Sequence, residues 1–415
     1  MRQLNFIDLF AGAGGLSEGF IRAGFNPIAH VEMDARACDT IRTRIAFHYL
    51  TDGTRKESGK KLYEKYLKQE VTRNELYKEV PQNLFDSVIN EEISAETIPS
   101  IFGRIDQLKG KQQVDLIIGG PPCQAYSLIG RARDPKGMTD DKRNYLFKHY
   151  AEFLEQYQPK YFVFENVLGL LSAGNQAYFK EMQKLFRKLG YAADFRTLNS
   201  EDFGVVQKRR RVVIIGKRTP EKKFEFNWPA KLENNYELLR DVFSDLPSLK
   251  PGDTPAFSKY KQKASSYLGD FGIRNGFSFV SQHVTRGHNE RDLEIYRIAI
   301  GKMLKDGSRL RYDELPKRLQ THNNIKSFLD RFKVVDPKGK SHTLVAHISK
   351  DGHHYIYPDL KQVRSLSVRE AARIQSFPDD FFFEGGRTAA FRQIGNAVPP
   401  LMGEMIAKSL SAASK

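Results

Sequence analysis

The stretch GGPPCQAYS (119–127) holds one of only two cysteines in 415 residues. Two prolines with fixed φ stiffen the backbone just ahead of the Cys123 thiol. A cysteine mounted in this way can serve as a nucleophile if nearby cations favour its thiolate. YFVFENV supplies Glu165 and Asn166 side by side. In QKRRRVVIIG, Gln207, Arg209 and Arg211 share one strand face while Lys208 and Arg210 take the other, since alternate residues of a strand point the same way. Two arginines on one face can hold a carboxylate and a substrate carbonyl oxygen together, and would help lower the cysteine pKa. FIDLFAGAGGLSEGF (6–20) reads as a strand, a glycine turn and a helix start, where a ligand can approach the backbone closely and an anion can face the helix N-terminus. Gly12 and Gly14 fit the dinucleotide fingerprint, but Ser17 stands where its third glycine belongs. A nucleoside carrying a carboxylate suits this loop better than a pyrophosphate. Glu32, in VEMD, follows the glycines by about 20 residues, the right interval for ribose hydroxyls.

The elements that must position these groups follow from periodicity. Leu4–Leu9, Pro27–Val31, Val114–Ile118, Tyr161–Phe164 and Val212–Ile215 read as buried strands. Ser17–Ala23, Asn144–Tyr157 and Ala177–Leu189 read as helices between them. Alternating strands and helices imply a mostly parallel sheet covered on both faces, with ligands at the carboxyl ends of the strands. Cys123 and Glu165 each follow such a strand, so parallel strands bring thiol and carboxyl to one rim. Taken singly, each group has a structural role available: an inert small residue, a strand cap, a solvated basic face. Their joint placement on one edge is what points to a site.

Residues 47–100 interrupt the alternation with a polar, mostly helical stretch of 8 Lys/Arg and 10 Asp/Glu, read as a solvated insert. Beyond Gly216 the character changes: 221–361 is rich in turn residues and holds seven of the ten histidines, which suggests a second domain. Residues 301–350 carry 12 Lys/Arg against 5 Asp/Glu, a surplus suited to phosphate contacts. Ser367–Phe377 reads as a helix, and Pro399-Pro400 can open a last one. The whole chain has a formal charge of +16, which favours a polyanionic partner. No apolar run is long enough to span a membrane. Two cysteines, and no signal pattern in MRQLNFIDLF, point to a reducing, cytoplasmic setting.

FAGAGG, GGPPCQAYS, ENV, QKRRR and RQIGNAVPP, in that order, resemble the DNA (cytosine-5-)-methyltransferases of the bacterial restriction–modification type, over residues 1–46, 101–220 and 362–415. The resemblance implies a Rossmann-like α/β fold: a class I S-adenosylmethionine-dependent methyltransferase with a mostly parallel seven-stranded sheet and a smaller target-recognition domain. Residues 1–220 would form the catalytic domain, with the insert at 47–100 and completion by 389–415, and residues 221–388 the recognition domain. The implied reaction moves the methyl group of S-adenosylmethionine to carbon 5 of a flipped-out cytosine in double-stranded DNA, through a covalent cysteine adduct. Cys123 would be the nucleophile, and Glu165 would bond the cytosine amino group and N3. Arg211 would contact its carbonyl oxygen, with Arg209 and Asn166 placing the cysteine loop. Gln124, Ser127, Gln207 and Thr343 would line the substrate side. The cofactor would lie among Phe10, Ala11, Gly12, Ala13, Gly14 and Gly15, with Glu32 on the ribose and Met33 beside it. Asp106, next to Gln107, would read the adenine amino group, while Pro121, Leu146, Asn396 and Ala397 complete the pocket. Arg143 and Arg369 match structural arginines of the family. A monomer acting once per strand of a short palindromic site is expected, with a separate restriction endonuclease as its counterpart.

Three other readings stay open at this point. A tRNA cytosine-5 methyltransferase shares the motifs but has a more compact recognition region, and a silent DNA-binding relative would not need Cys123, Glu165 and both arginines. A dehydrogenase is disfavoured by Ser17. The spacing of His342, His347, His353 and His354 matches no usual metal-ligand pattern, so no metal is expected. With the glycine loop in the first 20 residues, no long regulatory region is expected ahead of it, which favours a bacterial or phage enzyme over a eukaryotic maintenance enzyme.

Overall fold

The computed structural model describes residues 2–122, 146–221, 223–233, 235–321 and 327–413. Cys123, Gln124, Ser127 and Arg143 therefore lie outside the described residues. Strands β1 (Asn5–Leu9), β2 (Asn26–Glu32), β3 (Val88–Asn90), β4 (Leu116–Gly119), β5 (Tyr161–Asn166) and β6 (Tyr191–Asn199) belong to one sheet. The two-residue β7 (Gln207–Lys208) stands apart from it, and β8 (Arg210–Arg218) completes the order β3-β2-β1-β4-β5-β8-β6. The first five of these are mutually parallel, and β8 runs antiparallel between β5 and β6.

Both faces of the sheet are covered, and the strands alternate accordingly. Ile7, Ile117, Phe162, Phe164, Val212 and Ile214 point toward α6 (Ile98–Lys109), α7 (Leu146–Tyr157) and α8 (Ala177–Lys188). Phe6, Leu116, Ile118, Val163, Val213 and Ile215 point toward α1 (Gly15–Arg22) and the final helix, Pro400–Ala413. Each such side chain stabilises the fold by roughly 1.5–3 kcal/mol when fully buried. Gly216 pairs with Phe162 across β8 and β5, and a Cβ there would stand 1.9 Å from the Phe162 ring. Gly19 lets α1 meet the final helix backbone to backbone; its Cβ would lie 2.5 Å from both Glu404 N and Pro400 O.

The segment 47–100 differs from the solvated insert expected. It contains the end of α2 (Ala35–Leu50), then α3 (Lys56–Leu67), α4 (Arg73–Lys78) and α5 (Gln82–Asp86), then β3, the edge strand of the sheet, and the first residues of α6. Its aromatic residues form a core of their own. Tyr63 is fully buried against Phe47 and Phe277, and its hydroxyl donates to Asp380 O at 2.8 Å. Tyr66 donates to Glu384 at 2.5 Å. The net charge hides this because two of the buried residues of α3, Tyr63 and Tyr66, are tyrosines, whose hydroxyls need buried acceptors.

The second part includes the β9 (Phe257–Lys259) and β10 (Phe279–Ser281) pair, α9 (Ser266–Asp270), α10 (Glu290–Asp306) and β11 (Ser341–His342). Next come α11 (Val368–Ile374), α12 (Gly386–Asn396) and the final helix, α13. Helix α11 starts in a Ser367/Glu370 capping box and stops short of the expected Phe377, where Ser376 takes a left-handed φ of 60° just before Phe377 and Pro378. This part folds around buried ion pairs: Arg373 with Asp245 and Asp379, and Arg364 with Glu370. The boundary expected at 220 falls inside a segment that still packs beneath the sheet, because Trp228 Nε1 donates to Asp194 of β6 at 2.7 Å. The second core is also continuous with Ala13, Val206 and α12.

The buried packing of the 47–100 segment can be checked by unfolding. Tyr63→Ala should lower stability by about 3–5 kcal/mol, as for other large buried aromatics, whereas Tyr63→Phe removes one hydrogen bond worth about 1 kcal/mol. Urea denaturation of the three proteins measures both.

Candidate active site

The carboxyl ends of β1, β2, β4 and β5 form one rim. The reversed β8 begins where β5 ends: Asn166 pairs with Val212 and Glu165 with Val213. The basic run therefore reaches the same rim from the opposite direction. Arg211, just ahead of Val212, lies 2.8 Å from a Glu165 carboxylate oxygen through its Nε, with both side chains largely shielded. Glu165 also crowds Gly120, where a Cβ would stand 2.8 Å from Oε2. Asn166 is buried; its Nδ2 donates to Pro121 O at 3.1 Å and its Oδ1 accepts from Val167 N at 2.9 Å. It thus ties the end of β5 to the proline pair that leads into Cys123.

Arg209 and Gln207 share a face with Arg211, but they are spent behind the rim. Arg209 is fully buried and donates to Leu344 O at 2.6 Å, and at longer range to the carbonyls of Gly395 and Asn396. Gln207 is also fully buried; it donates to Gln375 Oε1 at 2.9 Å and accepts from Leu344 N at 2.8 Å. A direct substrate contact from Gln207 is corrected accordingly, since its amide is used up inside the protein. Thr343 is partly accessible and donates to Lys208 O at 2.6 Å, next to the parallel pairing of β11 with β7. The KSHTL segment is thereby docked onto QKR.

On the cofactor side, Phe10 turns the chain at a left-handed φ of 57°, and Gly12 and Gly14 follow with positive φ. Gly12 N donates to Glu32 Oε2 at 2.7 Å, and Asp34 N to Oε1 at 2.8 Å. Burial raises the Glu32 pKa above the usual carboxylate range, against the pull of these N–H donors. Met33, beside it, is 59% exposed. Ala11 and Ala13 are buried, and Gly15 packs against the chain end, where a Cβ would stand 2.4 Å from Val398 O. Asn396 is exposed at the end of α12 and Ala397 is buried next to it. Leu146 opens α7, half-buried, where the chain enters the helix on this edge. A carboxylate for hydroxyls, an uncovered thioether, an open amide and a turn of backbone N–H groups fit a nucleoside-bearing cofactor.

Asp106 and Gln107 are corrected. They occupy the last turns of α6, which carries the chain back from the carboxyl end of β3 to the amino end of β4. Both are exposed at the edge of the sheet opposite Glu32. An acid on the correct edge is Glu92, which is exposed just after β3; the neighbouring Glu91 N donates to Glu32 O at 3.1 Å. The signal was VIN, a three-residue strand inside a stretch that reads as helical.

The second cysteine is unsuited to attack. Cys38 is buried, and burial beside Glu32 pushes its thiol up to about 12.

The profile of the C-5 cytosine-specific DNA methylase family matches residues 4–71 and 68–412. The chain belongs to this family. This methyltransferase is 42% identical to a type II methyltransferase of Bacillus paralicheniformis, over 97% of this chain and 98% of that protein. It is 30% identical to a type II methyltransferase of Haemophilus parahaemolyticus, over 98% and 87% of the two chains. Among solved structures it shares its fold with an E. coli protein described as a DNA modification methyltransferase encoded within a prophage, at a TM-score of 0.65 and 24% identity over 99% of each chain. The methyltransferase has the α/β architecture of S-adenosylmethionine-dependent enzymes. No helix among its described residues is long and apolar enough to cross a membrane.

The bond from Asn166 to Pro121 gives a test. Asn166→Ala frees the cysteine loop from β5 and should lower kcat by about 100-fold, the scale of a 1 Å misplacement, with little change in the KM for S-adenosylmethionine. Steady-state methyl transfer measures both constants.

Proposed function

We propose that this enzyme methylates carbon 5 of one cytosine within a short duplex site, by covalent catalysis from Cys123 on a base turned out of the helix. The observation that carries the reading is the Glu165–Arg211 pair at the rim where Asn166 holds the residues leading into Cys123. S-adenosylmethionine supplies an electrophilic methyl group. Cys123 Sγ, as thiolate, forms a bond to carbon 6 of the cytosine, and the electrons of the 5,6 double bond make carbon 5 the nucleophile. Glu165 bonds the amino group and N3, supporting protonation there as the adduct forms. Arg211 steadies Glu165 and faces the cytosine carbonyl oxygen. Once the methyl group is on carbon 5, the proton of that carbon passes to water, the carbon–sulfur bond breaks, and the thiolate is released.

Base extrusion costs roughly a few kcal/mol, offset by contacts from the second part. Thr343, whose hydroxyl donates to Lys208 O, contacts the substrate in this reading. Gln124 and Ser127, which follow Cys123 in sequence, contact the substrate in this reading. The enzyme acts as a monomer, once per strand, and protects DNA from a separate endonuclease of matching specificity. Glu32 takes the ribose hydroxyls, while Met33, Phe10 and Leu146 pack on the adenine. Glu92 takes the role first assigned to Asp106.

Base-resolution mapping of 5-methylcytosine on a plasmid from expressing cells should find one short motif modified, and Cys123→Ala should abolish the signal. Duplexes with 5-fluorocytosine at the mapped position should trap a denaturation-resistant complex, because fluorine cannot leave as a proton does. A methylated plasmid from Cys123→Ala cells would sink the covalent mechanism.

Glu92→Gln should raise the KM for S-adenosylmethionine by about tenfold, the effect of roughly 1.4 kcal/mol, while Asp106→Asn leaves it unchanged. Initial rates over a range of cofactor concentrations decide between the two acids.

A further inference from the structure

Phe328 is 67% exposed, more than any other large apolar side chain among the described residues. Its backbone sits at a left-handed φ of 55°, a conformation that a bulky residue without glycine's freedom rarely takes. Strain of this kind persists only where the surroundings enforce it. Here Arg331 enforces it: its Nε donates to Phe328 O at 3.0 Å and its Nη2 to Ser327 O at 3.1 Å. The Arg331 guanidinium rests 4.0 Å from the centre of the Tyr312 ring, which is buried and stacks on Phe332. Tyr312 N also donates to Leu329 O at 2.7 Å. An aromatic ring is thus presented to solvent from a hydrogen-bonded turn.

This turn is continuous with the active-site wall. Phe332 packs 4.7 Å from His353, and Lys333 N donates to His353 O. His342 donates to His354 O, and β11 then pairs with β7 beside Thr343 and Lys208. The surrounding chain is basic, with 12 Lys/Arg and 5 Asp/Glu over 301–350, and Arg309 is close enough to act on the half-buried Lys333 and His342. A protein partner would call for a contiguous apolar patch. A ring held out from so basic a stretch suits stacked bases between phosphates.

We propose that Phe328 is an apolar wedge that enters the base stack of the target duplex and fixes the register of the enzyme on it. The proposal rests on the reading that duplex DNA is the substrate, and it adds a positioning residue which that reading does not need.

The full-length enzyme and its Phe328→Ala and Phe328→Trp variants are compared on a duplex carrying the mapped site. Phe328→Ala should raise the KM for DNA by about tenfold or more and leave the KM for S-adenosylmethionine and the melting temperature unchanged, and Phe328→Trp should restore most of the loss. A 2-aminopurine scanned through the site should brighten at one step away from the flipped cytosine with the wild type, and stay dark there with Phe328→Ala. A DNA KM within twofold of wild type, with the same fluorescence scan, overturns the wedge. If the wild type makes no 5-methylcytosine, the methylation reading fails, and the wedge is then judged by duplex affinity in mobility-shift assays, where equal binding by wild type and Phe328→Ala rejects it.

Discussion

A strand that runs against its neighbours brings its first residues to the edge where they bring their last. This geometry governs the site. Parallel β4 and β5 carry Gly119 and Glu165 to the carboxyl rim, and only a reversed β8 can deliver a basic run to the same place. The pairing of Phe162 with Gly216 keeps the two backbones close enough for the Glu165–Arg211 contact. A side chain at 216 would push β8 away and separate the carboxylate from its counter-ion. The three residues of the basic face then divide the labour. Arg211 reaches the rim, while Arg209 and Gln207 stay behind it and hold Leu344 and the end of α12.

The second part is held by ions where the sheet is held by apolar packing. Arg373 meets two aspartates and Arg364 meets Glu370, all of them fully or nearly fully buried. Neighbouring charges hold Glu370 and Asp379 below the usual carboxylate range, against the opposing effect of burial. Such pairs add little net stability over well-packed apolar residues, but breaking one is severe, about 3–5 kcal/mol. Their directional bonds select one arrangement of segments that have little regular secondary structure. Glu18 and Arg44 extend the scheme to the other part of the chain, since Arg44 also meets Asp380.

Much of the sheet was legible because its strands are short apolar runs between helices, a pattern that burial on both faces enforces. The direction of β8 was not, since an antiparallel strand with both faces covered has the same composition as a parallel one. Strand β3 was hidden by its length: three residues offer no period to detect, so nothing in the sequence showed that Asp106 lies on the helix leading away from the rim. The alternation in QKRRR was read correctly as a shared face, yet a shared face does not tell how deep each residue lies, and burial is what separates Arg211 from Arg209 and Gln207. Tyrosines conceal a core in the same way, because Tyr63 and Tyr66 count as polar until their hydroxyls are seen to be satisfied. Cys123, the proposed nucleophile, is read from sequence alone, from the prolines before it and the ENV and QKRRR motifs that follow.

The glycine loop, near one end of the sequence, has its back wall near the other, where Gly15 lies against Val398 and Gly19 against α13. Closing a contact across nearly the whole polypeptide is slow compared with local pairing. Until translation has passed α13, the glycine loop lacks the surface it rests on, and a chain cut short before Val398 leaves that loop without its back wall.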